Sequence, residues 1–133
     1  MKGITVADLR VTLHVLAATI WVGGQITLAV LVPVLRRASS IATRLVARRF
    51  AVLAWCAFAA LIGTGIWNVT AEWGGMAHRD RVTLGVKLGF VALSAVAAAI
   101  HQRARSAAGL AVFGAASALA AIAAVLLGVV LAS

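Results

Sequence analysis

Four long apolar segments, separated by short polar or basic stretches, constrain this chain more than any other feature. They cover approximately residues 11–35, 50–69, 82–100 and 107–132. Each is close to or above the roughly 20 residues that a helix needs to cross a bilayer core of about 30 Å. Because lipid cannot satisfy exposed backbone groups, we expect every segment to be helical. The connections are short, so neighbouring helices should run antiparallel.

These segments predict an all-α integral membrane protein, a four-helix bundle with up-down connectivity. We expect residues 1–133 to form a single transmembrane domain. The helices are predicted at about 8–36, 42–71, 80–104 and 107–132. The segments predict neither a strand nor a soluble domain, and the lipid bilayer is the first expected partner.

Composition removes several classes of function. Hydrophobic residues make up 64% of the chain and charged residues 11%, whereas a soluble domain has about a quarter charged residues. The net charge of +9 does not indicate nucleic-acid binding, because the basic residues cluster at the ends of apolar runs, as topology signals do. Cys56 is the only cysteine, and the only acids are Asp8, Glu72 and Asp80, so hydrolytic catalysis by paired carboxylates is not expected.

The distribution of basic residues predicts the orientation. One side holds seven of them: Arg36, Arg37, Arg44, Arg48, Arg49, Arg103 and Arg105. The opposite side holds four: Lys2, Arg10, Arg79 and Arg81. The positive-inside rule therefore predicts that both termini lie outside. We expect a multi-pass protein of a bacterial-type plasma membrane.

Two polar stripes lie inside the apolar segments. On a regular helix His14, Trp21 and Gln25 share one face, because eleven residues return to within about 20° at 100° per residue. Lys87 and His101 share a face of the third segment. Ionisable residues at membrane depth usually face the bundle interior. We expect His14 and Lys87 to lie at similar depth near the outer boundary, although snorkelling of Lys87 and simple packing of His14 are alternatives.

The other histidines are weaker candidates. His101 is fourteen residues from Lys87, about 21 Å along the helix axis, and is expected to be interfacial. His78 lies in the outer connection and is a secondary metal-ligand candidate beside His14. Glycines at positions 23, 24, 63, 65, 85 and 89 allow either close helix packing or a flat slot for a porphyrin.

The stretches LHVLAATIWVGG, RRFAVLAWCAFAALIGTGIWN and RVTLGVKLGFVALSAVAAAIHQRAR, within about residues 10–105, resemble known families. They are similar to small bacterial membrane proteins of the copper resistance D (CopD) family and to HemJ-type protoporphyrinogen oxidases. The resemblance implies a four-helix membrane unit tied to copper handling or to haem b, with His14 and Lys87 as the carried-over positions. HRDRVT stands where the CopD family often has a Tyr-Gly pair, and full-length CopD proteins have additional helices.

Haem b fits the residues better than copper. No ladder of Met or Cys crosses the membrane, whereas haem needs only one or two axial ligands and an apolar slot. We expect His14, Lys87, Trp21 and Gln25 to bind the cofactor, with His14 and His78 as metal ligands. The predicted function is haem-dependent membrane electron transfer, with a quinol or another redox partner. Copper handling, a structural role in a larger complex and homo-oligomerisation are alternatives.

Overall fold

The computed structural model describes residues 3–133, so Lys2, counted above among the outer basic residues, lies outside the described residues. The described part is almost entirely helical and contains no strand. Its α-helices are α1 Val6–Ala18, α2 Gly24–Ala38, α3 Ser40–Glu72, α4 His78–Arg103 and α5 Ala107–Ala132.

Within residues 3–133, four continuous helical stretches are long and apolar enough to cross a membrane: Val6–Ala38, Ser40–Gly75, His78–Arg103 and Ala107–Ala132. The predicted all-α class with four such helices is therefore confirmed. By its contacts the chain divides into two compact units, with the division between Gly74 and Gly75.

The first unit contains a long helix with an irregular middle. A capping box starts α1, because the Thr5 hydroxyl accepts from the Asp8 backbone and the Asp8 carboxylate accepts from the Thr5 backbone. A π-helical segment, Thr19–Gly23, joins α1 to α2. It inserts one extra residue, which turns everything after it by about 100° relative to a regular helix. The predicted stripe through His14 and Gln25 therefore does not continue straight across this segment.

A single residue, Ser39, separates α2 from α3. Its backbone is extended, and its hydroxyl accepts from the Ala42 N–H, which caps the start of α3. α3 ends in one turn of 3₁₀ helix, Trp73–Gly75. This reversal sets α3 against α1, where the candidate site lies.

The second unit is a hairpin of α4 and α5. Ser94 and Ser117 are each 1% exposed, and each hydroxyl donates to the other's backbone carbonyl at 2.9 Å. Small residues at such a contact let two helices approach closely. The buried residues around this pair are correspondingly small, chiefly Ala97, Ala120 and Ala121.

Four glycines form sockets for long side chains of the neighbouring helix. The ring of His14 lies over Gly65 and that of Phe50 over Gly24 in the first unit. In the second unit, His101 lies over Gly114 and the Lys87 amine over Gly128. The glycines that the sequence singled out at 63, 85 and 89 have no such neighbour within 4 Å among the described residues.

Candidate functional site

The His14 imidazole is fixed by a hydroxyl on α3. Its Nδ1 lies 2.8 Å from Oγ1 of Thr64. That hydroxyl lies 2.7 Å from the backbone oxygen of Ala60, one turn earlier on α3. A carbonyl oxygen only accepts, so the hydroxyl proton points to Ala60 and the Thr64 oxygen accepts from His14. The neutral ring therefore carries its proton on Nδ1 and its lone pair on Nε2.

This arrangement is the one that metal-binding histidines use. The ring nitrogen that does not bind the metal donates a hydrogen bond, which sets the tautomer and the orientation of the ring. Gly65 adds a steric reason for the position. A Cβ built at Gly65 would lie 3.5 Å from Cε1 of His14, so the ring rests against the backbone of α3.

Trp21 lies in an aromatic cluster beside α3. The residue is 4% exposed, and its ring centroid is 5.5 Å from that of Trp55 and 4.6 Å from that of Phe58. Aromatic pairs at such separations stabilise a contact beyond the area that they bury. The structure thus gives Trp21 a clear packing role between the π-helical segment and α3.

Gln25 serves the irregular helix itself. Its side-chain Nε2 donates to the backbone oxygen of Trp21 at 3.0 Å. A π-helical segment disturbs the regular hydrogen-bond pattern, and a side-chain amide can supply a donor there. The described contacts of Trp21 and Gln25 therefore stabilise the helix and its packing, while their predicted role toward a cofactor stays a prediction.

Polar residues that sequence reasoning missed continue the contact between α1 and α3. Arg10, one turn before His14, has a side chain only 8% exposed and forms an ion pair with Glu72, Nη2 to Oε1 at 2.5 Å. Glu72 is 62% exposed and marks where this contact opens to the surface. Asn68 lies between Thr64 and Glu72, one turn from each. We name these five residues, Arg10, His14, Thr64, Asn68 and Glu72, the polar seam.

A spacing signal for the polar seam was present in the sequence. Thr64, Asn68 and Glu72 recur every four residues, and so do Arg10 and His14, so each set lies on one helix face. What the sequence lacked was the register of the two helices. The stretch RRFAVLAWCAFAALIGTGIWN contains Thr64 and Gly65, but its resemblance to known families assigns neither residue to His14.

The second unit holds the remaining candidates. Lys87 lies on α4 with its Nζ 3.0 Å from the position that a Cβ at Gly128 would occupy, so the amine rests on the backbone of α5. His78 is the exposed first residue of α4. The predicted facing of His14 and Lys87 relates one unit to the other and stays a prediction.

His101 closes the hairpin of the second unit. Its Nδ1 lies 2.8 Å from the backbone oxygen of Leu110, so this nitrogen donates to the first turn of α5. The ring also packs on Gly114, where a Cβ, if the residue had one, would lie 3.1 Å from Nδ1. These contacts give His101 a structural role at the turn between α4 and α5.

Within residues 3–133 no three His, Cys, Asp or Glu side chains come close enough to hold a metal ion together. The candidate site is therefore one oriented imidazole at the inner end of the polar seam. The chain matches no protein-family model, and no curated protein or solved structure is significantly similar to it.

Proposed function

We propose that the chain is a multi-pass membrane protein that binds haem b through Nε2 of His14 and takes part in electron transfer. The observation that carries this proposal is the hydrogen bond from His14 Nδ1 to Thr64, which leaves the lone pair on the nitrogen that would bind iron. Haem needs only one or two axial ligands, so the lack of a three-ligand cluster in the described residues does not count against it. The CopD-like and HemJ-like resemblance agrees with this choice.

Membrane insertion is supported by where the large apolar side chains lie. Residues such as Val30, Ile66, Leu88 and Leu126 are exposed, whereas the buried residues are mostly alanine. This distribution suits a lipid solvent, because helix association in lipid favours small residues at contacts. We infer an antiparallel four-helix arrangement in a plasma membrane of bacterial type, with both termini outside.

Each residue of the proposed site has a separate task. Thr64 orients the imidazole, and Gly65 leaves room for the ring. A bound haem would supply one-electron chemistry, with a quinol or another small carrier as the partner.

The test is the visible spectrum of the protein purified in detergent from haem-replete cells. Wild type should show a Soret band that changes on reduction, and His14→Ala should abolish the band. His101→Ala is the matched control and should retain it, because the His101 ring is engaged with the Leu110 carbonyl. If the wild-type protein shows no Soret band but retains tightly bound copper, copper handling replaces haem binding as the proposed function.

A structural subunit is the second candidate, and the glycine sockets favour it. His14, Lys87 and His101 each rest on a glycine of the next helix, as packing residues do. If wild type binds neither haem nor copper, His14 is a packing residue and the chain is a helix-bracing subunit.

A further inference from the structure

The polar seam contains two buried atoms whose hydrogen-bonding capacity is unmet. Nε of Arg10 and Oδ1 of Asn68 are both inaccessible to solvent and have no hydrogen-bond partner among residues 3–133. Arg10 is more than nine-tenths buried, and leaving a donor unpaired there costs about 1–3 kcal/mol, more for a charged group. Such atoms are normally paired with ordered water or with a polar group of a bound ligand.

Both atoms belong to the same stretch of the seam. Arg10 is one turn from His14, and Asn68 is one turn from Thr64 and one turn from Glu72. The His14–Thr64 and Arg10–Glu72 contacts bracket this stretch on its two sides. A rise of 1.5 Å per residue makes it about 12 Å long from Thr64 to Glu72.

The hydrogen-bonding needs of the two atoms determine which chemical group can bind between them. Arg10 Nε–H needs an acceptor, and Asn68 Oδ1 needs a donor. A carboxylate or phosphate cannot donate to Asn68, and the Arg10 charge already has Glu72 as its counter-ion. An ammonium group cannot accept from Arg10. A hydroxyl group does both.

We propose that the seam binds the hydroxyl of a membrane-soluble quinol, which accepts from Arg10 Nε–H and donates to Asn68 Oδ1. The approach from lipid is apolar, since Leu9 and Leu13 of α1 are exposed beside Arg10. A lipophilic phenol suits such a route. The two atoms alone require a group that both accepts and donates, whereas the choice of a quinol rests on the proposed electron-transfer function.

The experiment measures the unfolding temperature of the purified protein in detergent as decylubiquinol is titrated in. A ligand that binds only the folded state raises this temperature. Wild type should show a saturable rise. The dimethyl ether of the same quinol should give none, because it cannot donate to Asn68. Equal rises with both compounds would overturn the proposal, and so would no rise with either.

Two variants locate the binding. Asn68→Leu keeps the branched shape of the side chain but removes the acceptor, and it should weaken quinol binding about tenfold or more. Thr70→Val on the exposed side of α3 is the matched control and should bind as wild type does. If Asn68→Leu binds the quinol as tightly as wild type, the seam is not the site.

The spectrum of the same samples separates this inference from the haem proposal. A wild-type rise with quinol but without a Soret band refutes the haem centre and supports the hydroxyl site. Haem binding without any rise refutes the hydroxyl site and leaves the haem centre standing.

Discussion

The Thr64 hydroxyl decides which nitrogen of His14 carries the proton. This contact joins residues fifty positions apart, and it depends on a hydroxyl that is already committed to its own helix. Because the hydroxyl proton goes to Ala60, only the lone pairs of the Thr64 oxygen face His14. Thr64 is thus a positioning residue, and it would act on the proposed haem only through the imidazole.

Thr64→Val should weaken haem retention by about 10–100-fold, the usual effect of removing a partner that orients a metal ligand. Haem transfer to apomyoglobin measures the retention. Thr64→Ser should restore it, because serine keeps the oxygen. Nitrogen NMR of the imidazole provides a second readout, in which the Nδ1 proton should exchange faster in Thr64→Val. Unchanged haem retention in the valine variant would refute the orienting role.

Sequence reasoning could identify His14 and Lys87 as unusual, because an ionisable residue in an apolar segment needs no register to be noticed. It could not find Arg10, Asn68 and Glu72 as members of one seam. Their contacts require knowing which residues of α1 lie opposite α3, and apolar composition carries no such information. Trp21 and Gln25 were chosen by helical periodicity, which assumes a regular helix.

At the scale of the element, the π-helical segment Thr19–Gly23 is the feature that periodicity could not reveal. Its composition is similar to that of the helices on either side. Nothing in the apolar pattern therefore indicates that the helix contains one inserted residue there. The four helices of membrane-spanning length were predictable for the opposite reason, because length and hydrophobicity alone define them. Two adjacent glycines at the end of the segment, Gly23 and Gly24, differ sharply in their surroundings.

Gly24→Ala should destabilise the protein by about 1–3 kcal/mol relative to Gly23→Ala, because its Cβ would overlap the Phe50 ring and displace it. Gly23→Ala is the matched control. Its Cβ would find its nearest neighbour, the Thr19 methyl, at 4.0 Å, so the change should be neutral or slightly stabilising. Thermal unfolding in one detergent, followed by circular dichroism, compares them. Equal stability of the two variants would show that Phe50 does not depend on Gly24.

At the scale of the whole molecule, the exposed side chains indicate which solvent surrounds the protein. Exposed leucine, isoleucine and valine, with alanine and serine at the helix contacts, make a surface that suits hydrocarbon better than water. Composition made this predictable. The contacts inside each unit required the structure, since the apolar runs are too uniform to select one pairing of faces.

Reporter fusions test the orientation. Alkaline phosphatase fused to either terminus should be active, and green fluorescent protein at the carboxyl terminus should be dark, because seven basic residues against four predict that both termini lie outside. Phosphatase fused after Arg37, in the first connection, is the internal control and should be inactive. Fluorescent terminal fusions would reverse the assigned orientation.

The short turn of the second unit affects how quickly its contacts form during folding. His101 reaches Leu110 over nine residues and Ser94 reaches Ser117 over twenty-three, whereas Arg10 reaches Glu72 over sixty-two. Loops of about ten residues close in roughly 10–100 ns, and contacts between distant residues form more slowly. The hairpin of α4 and α5 can therefore find its partners by a local search. The contacts of the polar seam can form only after nearly all of α3 has been synthesised. His14 is therefore fixed late in the folding of the first unit.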